Sequence, residues 1–336
     1  STKTAAETPF HIYHDSFTSI LGAAPTLQLL ATFDDPLFHE AGVFIPSDNT
    51  LFVTSNRLGP PNSPTIQISK LEISENAVHV NRNISDITMP NGGVNDGDSG
   101  IVFCMQGKGK EPSGLVHMSA KAPYESKTLL TTFHGRTFNS PNDVVINPRD
   151  GSIWFTDPVY GYEQGFRHGK PQLPNQVYRF ERETGDIRAI ADGFGRPNGI
   201  CFSPDLQTVY ITDTDAVHGD GTVDITRAAT IYAFTHDPDS TYPTLTARRV
   251  FAHAMCGIPD GIKCDTAGNV YSGCGDGVHV WNPEGRLIGK IAVPGPPDGV
   301  ANFCFGKEGQ MFLLNETRIW RVKLGGKGVK GALLGV

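Results

Sequence analysis

The chain has 336 residues, of which 38% are apolar, and a formal net charge of −7. It can therefore bury a sizeable core, and it lacks the basic excess that a nucleic-acid partner requires. No apolar run approaches the roughly 18 residues of a membrane-spanning helix, which sets membrane partners aside. Glycine (38) and proline (24) are abundant, a balance that points to short strands and tight turns.

Taken in chain order, the strand-like runs are copies of one another. Leu51-Phe52, Val102-Phe103, Ile153-Trp154, Val209-Tyr210, Val270-Tyr271 and Met311-Phe312 each place an aromatic behind an aliphatic residue or Met. The six aromatics stand 51, 51, 56, 61 and 41 residues apart, the length of one four-stranded propeller blade with loop insertions. Two copies show the unit most clearly. Pro141-Asn142-Asp143-Val144-Val145-Ile146 leads through a Pro- and Asp-bearing turn into Ser152-Ile153-Trp154-Phe155-Thr156-Asp157. Pro197-Asn198-Gly199-Ile200-Cys201-Phe202 leads in the same way into Thr208-Val209-Tyr210-Ile211-Thr212-Asp213. The prediction is an all-β chain, a six-bladed β-propeller forming a single domain over residues 1–336, with blades from about 10 to 324. Long loops are expected at Asp215–Arg227 and at Gly92–Gly100.

Of the six cysteines, Cys104, Cys201, Cys264 and Cys304 sit inside apolar runs and read as small core residues, and no pair has zinc spacing. The triplets Asn83-Ile84-Ser85 and Asn315-Glu316-Thr317 tilt localisation slightly toward secreted over cytoplasmic. The start, Ser1-Thr2-Lys3, shows neither an initiator Met nor an apolar signal core, consistent with a removed signal or a trimmed end.

Counting back from each aromatic locates the candidate site. Twelve residues before Phe52, Phe103, Trp154 and Tyr210 stand Glu40, Asn91, Asn142 and Asn198. Eleven before Tyr271 stands Asp260, and eleven before Phe312 stands Ala301. In a propeller these positions begin the inner strands and surround the central channel. Pro-Asn-Gly and Pro-Asp-Gly are ordinary turn tripeptides, but one oxygen-bearing side chain recurring in five of six copies is the ligand set of a hard cation such as Ca²⁺. Asn91 is expected to line the channel. Asp143 either orients the site or makes a strand-start hydrogen bond, and Arg136 and His134 are candidate substrate contacts or solvated loop residues. Asp157 and Asp213 end matching strands and read as caps. The absence of H-E-x-x-H and G-x-S-x-G patterns argues against zincin and serine-esterase chemistry. Gly273-Cys274-Gly275-Asp276-Gly277 has no following helix to cradle a nucleotide.

Several motifs, in order along nearly the whole chain, carry a resemblance. They are His39-Glu40-Ala41, Phe138-Asn139-Ser140-Pro141-Asn142-Asp143, Ile153-Trp154-Phe155-Thr156-Asp157-Pro158, Arg196-Pro197-Asn198-Gly199-Ile200, Gly257-Ile258-Pro259-Asp260-Gly261 and Glu316-Thr317-Arg318-Ile319-Trp320-Arg321. The chain resembles the senescence-marker-protein/gluconolactonase (regucalcin-like) family, and within it the fungal lactonohydrolase branch. The resemblance implies hydrolysis of a small lactone with one divalent cation, Ca²⁺ foremost and Zn²⁺ or Mg²⁺ as alternatives. It implies Glu40, Asn142, Asn198 and Asp260 as ligands and Asp260 as general base, with Glu40 as runner-up for that role. The chain departs from the branch at Gly135-Arg136-Thr137, at Gly42 and in the acidic run Gly92–Asp98. These departures keep two alternatives open, a non-hydrolytic cyclase or isomerase of secondary metabolism and a non-catalytic binding propeller. The expected partner is a small molecule, and the sequence leaves the oligomeric state open.

Overall fold

The computed structural model describes residues 8–336 apart from Asn76 and Lys327. The predicted copies form six antiparallel sheets, the blades of a six-bladed propeller. Blade one is Glu40–Ile45, Thr50–Thr54, Ile68–Ile73 and Val78–Asn81; blade two is Pro90–Asp96, Gly100–Met105, Gly114–Ser119 and Ser126–Leu130. Blade three is Val144–Ile146, Ile153–Asp157, Gln176–Phe180 and Ile187–Ala191; blade four is Pro197–Phe202, Thr208–Asp213, Thr230–His236 and Leu245–His253. Blade five, Ile262–Cys264, Val270–Cys274, Gly277–Trp281 and Leu287–Ala292, takes Phe10–Ile12 as a fifth strand. Blade six has only three strands from its own repeat, Asn302–Phe305, Gln310–Asn315 and Arg318–Lys323. Its fourth is Thr26–Thr32, paired from Thr26 with Lys323 to Thr32 with Arg318. The ring thus closes by pairing an early strand with the last one, so that residues from both ends of the fold complete one blade.

The repeated aromatics Phe52, Phe103, Trp154, Tyr210, Tyr271 and Phe312 are all buried. They fall in five apolar clusters, Phe52 and Phe103 sharing one, and each of these clusters joins two neighbouring blades. Phe52 packs with Phe103 between blades one and two, and Trp154 packs with Ile200, Phe202 and Ile211 between blades three and four. Tyr271 packs with Phe303 and Leu313 between blades five and six. No single blade could bury such a face alone, so the repeats stabilise one another.

Asp215–Arg227 is a long connection, as expected, between Thr208–Asp213 and Thr230–His236. Gly92–Gly100 is not. Gly92 to Asp96 belong to the inner strand of blade two, followed by a tight turn. The glycine pair marks close approach: a Cβ on Gly92 would lie 2.5 Å from the Asn142 carbonyl oxygen, and one on Gly93 would lie 2.9 Å from the Phe103 ring. Cys104, Cys201, Cys264 and Cys304 are buried free thiols. Asn315 is fully buried, donating through Nδ2 to Pro297 O and accepting from Trp320 Nε1, so its triplet serves packing, whereas Asn83 is exposed. No helix among the described residues is long and apolar enough to cross a membrane.

Candidate metal centre and active site

The candidate ligand positions all fall where the inner strands begin, and local backbone geometry turns their side chains inward. In blades one, two and four the register slips at this point, between Ala41 and Val43, between Pro90 and Gly93, and between Pro197 and Ile200. Such bulges re-aim a side chain that regular alternation would direct elsewhere. Ala41 and Gly42 accordingly have φ of +66° and +78°. In blade five, Asp260 N donates to Gly273 O and Gly273 N donates to Gly261 O, which holds Asp260 just outside the inner strand.

A ring of threonine hydroxyls then locks neighbouring blades together. Thr54 Oγ1 donates to Asn91 O, Thr156 Oγ1 to Asn198 O and Thr212 Oγ1 to Asp260 O, in each case reaching from one blade to the next. Within their own blades, Thr156 Oγ1 accepts from Asp143 N and Thr212 Oγ1 accepts from Gly199 N. These threonines stand two residues after the repeated aromatics, a recurrence that would have identified them from sequence. Asp157 and Asp213 act as caps: Asp157 accepts from Asn139 N and Ser140 N, and Asp213 from Gly195 N and Arg196 N. Each carboxylate holds the loop that carries the candidate ligand asparagine of its own blade.

Glu40, Asn91, Asn142, Asn198 and Asp260 line one cavity of about 440 Å³ at one mouth of the channel. Its walls also include His39, Asn56, Gln106, Tyr160, Glu163 and His218. Asp143 and Arg136 are placed differently. The Asp143 carboxylate is buried outside the cavity lining, accepting from Val144 N at 2.9 Å and Ile200 N at 3.3 Å. Arg136 is exposed on a small hairpin, Thr132–Phe133 with Arg136–Thr137, and His134 is exposed at its turn. Neither Arg136 nor His134 lines the cavity, because the hairpin forms a sheet of its own outside the blades.

Asn142 Oδ1, Asn198 Oδ1 and Asp260 Oδ1 are buried without a hydrogen-bond partner. Leaving one such oxygen unpaired costs about 1–3 kcal/mol, so three on one cavity floor need a common explanation. Glu40 supplies the other carboxylate, with Oε2 accepting from Asn302 Nδ2 at 2.7 Å. Two carboxylates and two amide oxygens form a hard-oxygen donor set, and the residues fit a divalent cation on that ground. Among the described residues no three His, Cys, Asp or Glu side chains group as a metal site. Half of the present donor set is amide.

The electrostatics agree. Burial first, and then the charge of Asp260, pushes the Glu40 carboxyl well above its ordinary range. Burial likewise raises Asp260, which lies within hydrogen-bond reach of Glu40. Burial raises Asp143 to about 6. A cation reverses this logic by favouring the ionised forms. Burial opposes a charge on His39, but the Glu316 carboxylate outweighs it and raises the imidazole to about 10. His39 Nδ1 lies 2.6 Å from Glu316 Oε1, and Asn56 Nδ2 donates to Glu316 Oε2 at 3.0 Å. Lys263 faces the same acidic group from the channel, lowering both Glu40 and Asp143. The His39–Glu316 pair joins two motifs 277 residues apart, and no local pattern could have paired them.

Comparison with known proteins gives a concordant result. A family model described as "SMP-30/Gluconolactonase/LRE-like region" matches residues 66–314. A lactonohydrolase (oryL) of Aspergillus oryzae is 29% identical over 335 aligned residues, covering 92% of this chain and 73% of that protein. A gluconolactonase of Zymomonas mobilis is 28% identical over 59% of this chain and 54% of its own length. The chain therefore spans about half of that second relative. A solved gluconolactonase from Xanthomonas campestris superposes with a TM-score of 0.73 at 27% identity, over 95% of this chain and 96% of the other.

Proposed function

The chain belongs to the SMP-30/gluconolactonase/LRE-like family, and on that premise we propose that it hydrolyses a small lactone with one divalent cation held by Glu40, Asn142, Asn198 and Asp260. The observation that carries the reading is the set of three unpartnered, buried oxygens on Asn142, Asn198 and Asp260, which share one cavity with Glu40. The names of the Aspergillus and Zymomonas relatives support lactone hydrolysis as the reaction. Calcium is the cation that an all-oxygen donor set favours.

When bound, the cation supplies Lewis acidity toward a carbonyl oxygen. The remaining chemistry belongs to the side chains. Asp260 takes a proton from the attacking water, its Oδ1 being free of protein partners. Glu40 is held by Asn302 and balances charge beside Asp260. The protonated His39, paired with Glu316, adds a fixed positive charge at the wall that favours the ionised carboxylates. The cavity walls carry Asn56, Asn91, Gln106 and Gln164, amides able to hydrogen-bond the polar groups of a bound lactone.

The test is acid release from a panel of lactones by the purified chain, before and after thorough chelation and again after calcium is restored. We expect turnover that chelation abolishes and calcium restores. Activity indifferent to chelation overturns the cation's role, and no turnover across the panel overturns lactone hydrolysis.

A further inference from the structure

We propose that His218 is a catalytic residue that touches the substrate and donates the proton taken up by the leaving oxygen. This inference rests on the lactonase reading. It concerns a task to which the cation-binding side chains assign no group: protonation of the alkoxide released when the ring opens.

His218 lies on Asp215–Arg227, one of two long connections expected from the sequence and the one that the structure keeps as a connection, and the fold brings it to the cavity. Val217, His218, Gly219, Asp220 and Gly221 all line the same cavity as Glu40 and Asp260. His218 Nε2 is buried and has no hydrogen-bond partner. An unpartnered imidazole nitrogen on the wall of a polar cavity points to a ligand as its partner.

The backbone beneath this side chain is firmly held. His218 N donates to Thr222 O, Gly221 N donates to His218 O, and Val217 pairs with Val223 to close a small hairpin tip. Tyr160 Oη donates to Val217 O at 3.1 Å, and Gly219 N donates to Glu163 Oε2 at 2.8 Å. Arg196 ties the base of the loop by bonding both Glu163 and Asp215, and Arg227 Nη1 reaches Asp215 Oδ2 at 3.0 Å. Arg196 directly precedes Pro197-Asn198, so this clamp links the loop to a strand that bears a ligand. The charged groups facing the imidazole are Glu163, Asp220 and Asp224.

The step balances as follows. The water oxygen bonds to the acyl carbon while its proton passes to Asp260. The bond from acyl carbon to ring oxygen breaks, and the electron pair left on that oxygen takes the proton from His218 Nε2. Exchange with solvent then removes the proton from Asp260 and returns one to His218, so lactone plus water gives the hydroxy acid.

The experiment compares two lactones whose leaving oxygens differ in need of a proton. An aldono-δ-lactone releases an aliphatic alcohol, whereas dihydrocoumarin releases a phenol that departs readily as its anion. In His218→Gln, kcat/KM for the aldono-δ-lactone is expected to fall by about 10²-fold or more, and that for dihydrocoumarin by no more than about threefold. His218→Asn serves as a second variant, and calcium affinity and Tm of both should match those of the wild type. Equal losses on the two lactones, or wild-type rates on both, overturn the proton-donor role while leaving the lactonase reading intact. A wild-type chain inert toward both lactones overturns the lactonase reading and this inference with it.

Discussion

Asp260→Asn separates the cost of the site from its purpose. In the cation-free chain Glu40 and Asp260 share one site; the charge of Asp260 adds to burial in raising the proton affinity of Glu40, and burial raises that of Asp260. Two carboxylates about 4 Å apart repel by roughly 4 kcal/mol at an effective dielectric near 20. Partial protonation relieves some of this, leaving about 1–3 kcal/mol to be gained at pH 8 when one charge is removed isosterically. Unfolding entropy for 336 residues amounts to roughly 0.7 kcal/mol per degree, so the gain corresponds to a rise in Tm of about 1–4 °C. The same change deletes one of two ligand charges, and calcium affinity should fall by about 10²-fold or more, along with turnover. The assay is differential scanning calorimetry in chelator beside calcium titration, run on both proteins at pH 8 and at pH 4.5. At the lower pH the stability difference should vanish, because the wild-type carboxyls are then protonated. A cation-free variant less stable than wild type at pH 8, or one with unchanged calcium affinity, would refute the reasoning.

Two further outcomes follow from the same structure. Asp143 is raised to about 6 and Asp157 to about 7, both by burial, so the native state binds more protons than the unfolded chain as pH climbs from about 4 to 7, and stability falls over that window. His39, raised to about 10 by Glu316 against burial, adds stability that is fully present below about pH 6.5 and lost as pH rises toward 10. Paired carboxylates with lowered proton affinity, such as Glu163 and Glu316, act below about pH 4.5. In chelator, Tm should therefore decline from pH 5 to pH 8, and the increment from added calcium should grow; a rising Tm in chelator contradicts the assignment. Trp154→Ala empties a fully buried position against Phe202 and His236 and should cost roughly 3–5 kcal/mol in urea unfolding. In the surviving folded fraction, calcium affinity should stay near wild type, and a loss of affinity without a loss of stability would show that the tryptophan does not serve packing between blades.

The sequence alone carried the repeat. A blade is a local unit of hairpins, so its aromatic and its ligand position keep a nearly constant separation, and counting back from Trp154 or Tyr210 reaches Asn142 or Asn198 without coordinates. The cavity's floor was legible for that reason. Its walls were not. His39 meets Glu316 across 277 residues, and Arg196 gathers Glu163 and Asp215 from two different connections. Arg136, a candidate contact by its proximity to a motif, lies on a separate hairpin. Gly92 and Gly93 read as a loop because glycine signals flexibility locally, yet they sit in a strand where the next blade's backbone and a neighbouring ring leave no room for a Cβ. The closing strand Thr26–Thr32 bears none of the repeat's marks. Its place beside Arg318–Lys323 follows only once the ring exists to bring the two together. Local periodicity is written in the chain because each blade must form its own ladder, whereas the contacts between blades depend on ring closure, which no stretch of sequence contains by itself.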